Sequence, residues 1–314
     1  MSTDKFKLGL LDFGYRSGDI NAMSTLTDVL EYAKLADKLG YHSIWYGEHY
    51  NGSIAYNNPE ILLPIVTGLT SQIRVGCGGV LIAAHSPYRV AMTYKVLCNI
   101  FPGRIDLGIG LTVPDFKFME LLLDKKDIER NIKDFAKSKS KELIDFYLNE
   151  NENYLKGIVI PPYGGFKPNI WKLKTTFDEL ADCLLDRTNF CCSLFHKSDH
   201  SKSIDPQKLK AFNKAYFEKY GLTPKVSIAF SGICDVSIAK AQRTLDSLSM
   251  QHAERSYFHN CIVGTPDYFH ERLTKLHEQT GIDYFIFYDL TKNIPDRHKS
   301  IKMLAKKFEL SKPL

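Results

Sequence analysis

The feature that most constrains the fold of this chain is an eightfold alternation of short apolar segments with longer helical segments. In residues 26–39, apolar side chains recur at spacings of three and four, and Gly40 follows as a stop signal. Residues 6–13 form a short, largely apolar run, which is typical of a strand buried on both faces. The expected strands are residues 6–13, 43–46, 73–81, 104–110, 170–173, 189–195, 226–230 and 283–288. The expected helices are residues 26–39, 59–69, 87–100, 114–149, 177–185, 206–220, 236–248, 266–279 and 294–308.

This alternation predicts an α/β protein built as a single (β/α)8 TIM barrel. No segment rich in proline, glycine and serine together separates the units, so residues 1–314 are expected to form one domain. A doubly wound sheet made of two halves is the alternative. Residues 151–169 and 249–261 have little pattern and are expected to be long loops near the active-site face.

Composition and charge are those of an ordinary soluble protein, with 44% hydrophobic residues, 25% charged residues and a formal net charge of +5. In the lysine-rich residues 117–141 the charges alternate with acidic and apolar residues, which indicates a solvated helix face rather than a nucleic-acid site. The seven cysteines form no CxxC pair, and no leader or apolar run of about 18 residues occurs. We therefore expect a cytoplasmic protein with free thiols and no membrane partner.

No metal site is expected. His196 and His200 are four residues apart, but they lie in a loop-like segment without a Glu-x-x-His pattern.

The densest group of chemically versatile side chains lies in the run Trp-Tyr-Gly-Glu-His-Tyr-Asn, residues 45–51. It begins where the second expected strand ends, and barrel active sites are built at the carboxyl ends of the strands. Glu48, His49 and Tyr50 are therefore candidate catalytic residues. The alternative is a strand end that simply runs into a polar loop.

Several further motifs occur in a fixed order along the chain, and together they resemble the luciferase-like flavin monooxygenases, the family of bacterial luciferase. The motifs are Gly40-Tyr41; Trp45 with Glu48-His49-Tyr50-Asn51; Thr70 with Ile73-Arg74-Val75-Gly76; Gly78-Gly79; His85-Ser86-Pro87 with Arg89-Val90-Ala91; Pro102 to Gly108; Val263-Gly264-Thr265-Pro266; and Gly281-Ile282-Asp283. The resemblance covers the whole chain and independently implies the barrel fold.

The resemblance implies an enzyme that uses reduced FMN and O2 on a small organic substrate. A separate flavin reductase would supply the cofactor, because no nicotinamide fingerprint occurs. It also implies a homodimer or heterodimer. Two alternatives remain: a flavin- or deazaflavin-dependent reductase that transfers hydride, and a non-catalytic luciferase-like subunit. In the resemblance His49 corresponds to the catalytic histidine and Tyr50 replaces a second histidine; Glu48 either orients His49 or simply ends the strand.

The resemblance also locates the cofactor. Gly78 and Gly79 correspond to a non-proline cis peptide that lies under the flavin ring in relatives. Relatives carry an arginine for the flavin phosphate after the fourth strand, but here Gly110 is followed by Leu111. We expect Lys174, Thr175 and Thr176 to hold the phosphate instead, with Lys174 restoring the lost positive charge. Glu179 would repel a phosphate if it faced the site.

Overall fold

Eight parallel strands close into a barrel in the computed structural model, which describes residues 6–15, 21–50, 54–124, 132–194, 204–252 and 261–310. The barrel strands are β1 (Lys7–Asp12), β2 (Ser43–Tyr46), β3 (Arg74–Leu81), β4 (Ile105–Gly110), β5 (Asn169–Lys174), β6 (Asn189–Ser193), β7 (Val226–Cys234) and β9 (Tyr284–Asp289). β9 pairs in parallel with both β7 and β1, which closes the ring. The predicted (β/α)8 barrel is thus confirmed, and the doubly wound sheet is excluded.

Helices surround the barrel within the described residues. They are α1 (Ala22–Leu39), α2 (Leu62–Leu69), α3 (Pro87–Ile100), α4 (Phe116–Leu123), α5 (Ile132–Leu148), α6 (Glu150–Leu155), α7 (Leu180–Leu185), α8 (Pro206–Tyr220), α9 (Ile238–His252), α10 (Pro266–Thr280) and α11 (Ile294–Lys307). α1 begins four residues before its predicted start because the Asn21 side chain caps it, accepting the Ser24 N–H. It ends as predicted at Gly40, whose φ of 85° is left-handed.

The structure differs from the sequence-based prediction of helices and strands in three places. The helical segment predicted over residues 114–149 is not one helix: α4 ends at Asp124, which takes a left-handed φ of 48°, and α5 begins later. α6 lies partly in the predicted 151–169 loop, and its first residue, Glu150, is held by the buried Lys95 at 2.7 Å. A short strand, β8 (Ile262–Gly264), was not predicted and extends the sheet beside the end of β7.

The barrel interior is filled by a layer of aromatic side chains. Trp45 donates its indole N–H to Ser43 Oγ at 3.0 Å and to the Tyr284 hydroxyl at 2.9 Å. The Trp171 ring meets Trp45 edge to face at a centroid distance of 5.8 Å. The Trp171 indole N–H is donated to Asp106 Oδ1 at 3.2 Å, so the indole N–H groups of this aromatic floor are hydrogen-bonded.

All seven cysteines are free, as predicted, and six of them are buried. Among the described residues, no helix is long and apolar enough to cross a membrane. His196 and His200 lie outside the described residues. No group of three or more potential metal ligands occurs in the described part of the chain.

Candidate active site

A cavity of about 190 Å³ opens at the carboxyl ends of the barrel strands, above the aromatic floor. Its lining comes from most of the barrel strands and from the loops that follow them. The lining residues are Leu11, Phe13, Trp45, Glu48, His49, Gly78, Gly79, Leu81, Gly110, Leu111, Thr112, Leu173, Lys174, Thr175, Cys191, Ser193, Ala229 and Ile286. The structure therefore brings His49, Gly79 and Gly110 to one cavity, as expected from their positions at strand ends.

One wall of the cavity is made of glycine backbone. The peptide bond between Gly78 and Gly79 is cis. A Cβ atom on Gly79 would lie 2.7 Å from the Leu173 side chain and 2.9 Å from the Gly108 carbonyl oxygen. Glycine is required there because β3 and β4 approach each other closely, and the result is a wall without side chains.

Glu48 lines the cavity, and its carboxylate contacts several polar groups. Its carboxylate oxygen Oε1 accepts the Tyr50 hydroxyl at 2.5 Å and contacts His85 Nε2 at 2.7 Å. Its other oxygen, Oε2, accepts the Leu81 N–H at 2.8 Å. These contacts hold Glu48 rigidly at the end of β2, although the carboxylate is buried with only 2% of the side chain exposed.

His85 is a further residue of the site, and no local sequence pattern indicates it. Burial disfavours its charged form, but the hydrogen bond and charge of Glu48, with the charge of Glu60, outweigh burial and raise the pKa of His85 above its ordinary value. His85 appeared in the sequence only as part of a His-Ser-Pro motif, with no acid beside it. Its pairing with Glu48, 37 positions away, arises only from the fold.

His49 lies at the cavity wall on the β1 side. Its ring packs on Phe13 at a centroid distance of 4.6 Å and lies 6.2 Å from the Tyr15 ring. The side chain is half-buried. His49 thus lines the same cavity as Gly78 and Gly79, and its ring also contacts the rings of Phe13 and Tyr15.

Lys174, the residue expected to restore the lost positive charge, is paired with two carboxylates. Its ammonium, although it lies at the cavity, donates to Glu179 Oε1 and to Asp182 Oδ2, each at 3.0 Å. Burial lowers its pKa, but the hydrogen bonds and charges of Asp182 and Glu179 outweigh burial and raise it. The ammonium of Lys174 is therefore already paired with two carboxylates in this structure.

The two threonines beside Lys174 differ in position. Thr175 lines the cavity. Thr176 caps the turn before α7: its hydroxyl accepts the Asp178 N–H at 2.9 Å and lies 3.1 Å from Asp178 Oδ2. Leu111 adds an apolar surface to the cavity. The structure therefore brings Thr175 and Leu111 to the cavity, whereas the Thr176 hydroxyl serves the chain itself.

Comparison with known proteins shows which sequences and structures this chain resembles. Residues 6–121 match the family described as luciferase-like monooxygenase. The luciferase-like monooxygenase of Escherichia coli strain K12 is 30% identical over 54% of this chain, a segment that spans 50% of that protein. The Bacillus subtilis protein YwcH, itself described as uncharacterized, is 23% identical over 96% of this chain and 98% of its own length.

Solved structures share the fold over nearly the whole chain. Apo-MsnO8 has a TM-score of 0.79 at 23% identity and covers 98% of this chain and 100% of its own. The oxygenating constituent of 3,6-diketocamphane monooxygenase of Pseudomonas putida, in complex with FMN, has a TM-score of 0.73 at 17% identity, with 99% of both chains covered. An F420-dependent secondary alcohol dehydrogenase has a TM-score of 0.66 at 12% identity, covering 96% of this chain and 99% of its own. Residues 6–121 of this chain are thus similar to the luciferase-like monooxygenase family, and the described residues share the barrel fold of these solved structures.

Proposed function

We propose that this protein is a monooxygenase that uses reduced FMN and O2 to oxidise a small organic substrate. The observation that carries the proposal is one cavity that combines a side-chain-free wall at Gly78 and Gly79 with His49 and a buried, hydrogen-bonded Glu48. The name of the Escherichia coli relative and the FMN in the diketocamphane monooxygenase structure support it.

The residues present fit the ring of a flavin. The glycine wall lets a flat ring lie against backbone, and Leu11, Trp45 and Leu173 offer apolar surfaces around it. When bound, reduced flavin supplies the electrons that reduce O2. The protein would hold the ring, keep water out of an apolar cavity and manage the proton that the reaction requires.

His49 is proposed to move that proton, with Glu48 and Tyr50 as the other catalytic groups of the cavity. An imidazole changes charge near neutral pH and is therefore suited to general acid–base work. His49 lines the cavity directly.

The residues fit the flavin phosphate less well. Leu111 carries no charge, and Lys174 is already bonded to Glu179 and Asp182. We propose that Gly110, Leu111 and Thr175 line the path of the cofactor tail, and that Lys174 and Thr176 reach a phosphate only in competition with their present partners.

The proposed partners are O2, a small-molecule substrate, a separate flavin reductase and a second copy or a close relative of this chain. An apolar stripe supports the paired state. Five large apolar side chains on the 3-10 turn before α2, on α2 and on α3 are each 43% to 61% exposed. They follow helical spacing and are Ile61, Ile65, Leu69, Val96 and Ile100.

The test is an anaerobic titration of the purified protein with FMN, reduced FMN and a deazaflavin, followed by absorbance and fluorescence. The bound reduced FMN is then mixed with O2 and candidate substrates, and oxygenated product is measured by mass spectrometry. Incorporation of ¹⁸O from labelled O2 supports the monooxygenase. Substrate oxidation or reduction without O2 would instead establish hydride transfer, the chemistry suggested by the F420-dependent structure. Failure to bind any flavin would contradict both.

A further inference from the structure

The carboxylate of Glu48 contacts two protonatable groups from different parts of the chain. The Tyr50 hydroxyl and His85 Nε2 both contact the same oxygen, Oε1, at 2.5 Å and 2.7 Å. Glu48 lines the cavity, whereas His85 does not. The Leu81 N–H fixes the second oxygen at 2.8 Å, so that the carboxylate cannot turn away from His85 without losing a hydrogen bond.

Glu48 is more deeply buried than His85, which is the order that a proton path from solvent to the cavity requires. The Glu48 side chain is 2% exposed, and the His85 side chain is 23% exposed. His85 can therefore exchange protons with solvent, while Glu48 cannot do so easily. We propose that His85 and Glu48 form a proton relay that carries protons from solvent to the cavity, with His85 as its outer member. This inference rests on the flavin chemistry proposed for the same cavity.

The charged groups around His85 favour the protonated form of its imidazole. Glu48 faces it from the end of β2, Glu60 from the turn before α2, and Lys139 from α5. The two carboxylates outweigh burial and the charge of Lys139, so the pKa of His85 is raised. Burial and the charge of Glu48 likewise raise the pKa of Glu60, and His85 opposes that shift.

Lys139 also holds the backbone of the relay in place. Its ammonium donates to the Ala83 carbonyl at 2.9 Å and to the His85 carbonyl at 2.7 Å. The turn that carries His85 is therefore anchored to α5, and the contact between His85 and Glu48 does not depend on a loose loop.

Tyr50 cannot replace His85 as the proton source. Burial, followed by the charge of Glu48 and the hydrogen bond to it, raises the pKa of Tyr50 far above neutrality. The phenol therefore keeps its proton and acts as a fixed donor to Glu48 Oε1. The exchangeable proton on this oxygen comes from His85.

The transfer balances without an added reactant. The His85 imidazolium breaks its Nε2–H bond and gives the proton to Glu48 Oε1, which leaves a neutral imidazole and a neutral carboxylic acid. Glu48 then gives the proton to an acceptor in the cavity and becomes a carboxylate again. Solvent returns a proton to His85.

The first test uses the protein without cofactor. Imidazole NMR signals are followed against pH in the wild type, and the His85 signal is identified by its loss in His85→Gln. We expect His85 to titrate above the ordinary value of about 6.5. In Glu48→Gln its pKa should fall, because the hydrogen bond and the charge of Glu48 that raise it are lost. A His85 titration that Glu48→Gln leaves unchanged would overturn the relay.

The second test measures proton delivery. With bound reduced FMN, the single-turnover rate of product formation is recorded against pH in the wild type, His85→Gln and the control His270→Gln, whose ring packs on Phe6 and Phe308 instead. The wild-type rate should fall as pH rises through the pKa of His85. His85→Gln, which can still donate a hydrogen bond, should be slower by roughly 10²-fold at low pH and lose this dependence. An unaltered pH profile in His85→Gln overturns the relay. A protein that binds no flavin refutes the proposed function, whereas the first test still decides whether Glu48 controls the proton on His85.

Discussion

At the scale of single residues, two histidines occupy different positions at the site. His49 lines the cavity, whereas His85 lies behind Glu48 and reaches solvent. The sequence pattern predicts Glu48, His49 and Tyr50 at a strand end; in the structure Glu48 and His49 line the cavity, and Tyr50 contacts Glu48. It did not reveal His85, because an ion pair between residues 37 positions apart leaves no local pattern.

His49→Ala should slow turnover with reduced FMN by about 10²–10⁴-fold, the usual contribution of a general acid or base. The ring is half-buried and packs mainly on Phe13, so the fold and the affinity for flavin should change little. Steady-state kinetics, circular dichroism and a flavin titration check these expectations. His270→Ala serves as the matched control. Unaltered turnover would remove His49 from the mechanism.

Glu179→Gln combined with Asp182→Asn should favour FMN over riboflavin, because both carboxylates that bind Lys174 lose their charge. A freed ammonium bonding a phosphate contributes about 1.5–3 kcal/mol, so the FMN-to-riboflavin affinity ratio should rise roughly tenfold or more. Lys174→Ala in the same background should cancel the gain. Fluorescence quenching measures each dissociation constant. An unchanged ratio would show that the cofactor tail runs elsewhere.

At the scale of elements, regular segments were predicted well and irregular ones poorly. Every barrel strand appeared in the sequence as an apolar run, because strands buried on both faces need continuous apolar side chains. β8 was not predicted from the sequence because it has only three residues. The break after α4 escaped because residues 117–141 look uniformly helical in composition, and the left-handed Asp124 carries no strong sequence signal. The pairing of Lys174 also depends on how the chain turns into α7.

Gly79→Ala should disturb the packing of β3 against β4. Its added methyl group would lie 2.7 Å from Leu173 and 2.9 Å from the Gly108 carbonyl oxygen. Overpacking of this kind typically costs about 1–3 kcal/mol, and flavin affinity should fall with it. Gly68→Ala in α2 is the control: its Cβ meets nothing within 4 Å, and a helical alanine should stabilise by roughly 0.5–1 kcal/mol. Thermal unfolding and flavin titration compare the two; equal stability of both variants would contradict the argument.

At the scale of the whole molecule, the barrel buries its core well but leaves the stripe on α2 and α3 exposed. We expect the stripe to be covered by a second chain. The double variant Ile65→Glu, Val96→Glu should therefore be monomeric in analytical ultracentrifugation, with its barrel intact. Leu185→Glu on α7, which is 69% exposed in the wild type, should leave the oligomeric state alone. A wild type that sediments as a monomer at micromolar concentration would contradict the expectation.

The aromatic floor gives the molecule an optical property. The chain has two tryptophans, and both lie in that layer. Trp45 also lines the cavity, and the Trp171 ring meets the Trp45 ring edge to face. All of the indole emission of this protein therefore originates from a tryptophan at the proposed flavin cavity or from the tryptophan that contacts it. Flavin absorbs light in the region where indole emits, so a bound ring should quench this emission through energy transfer. The protein thus carries a built-in reporter of its own occupancy, readable without any label.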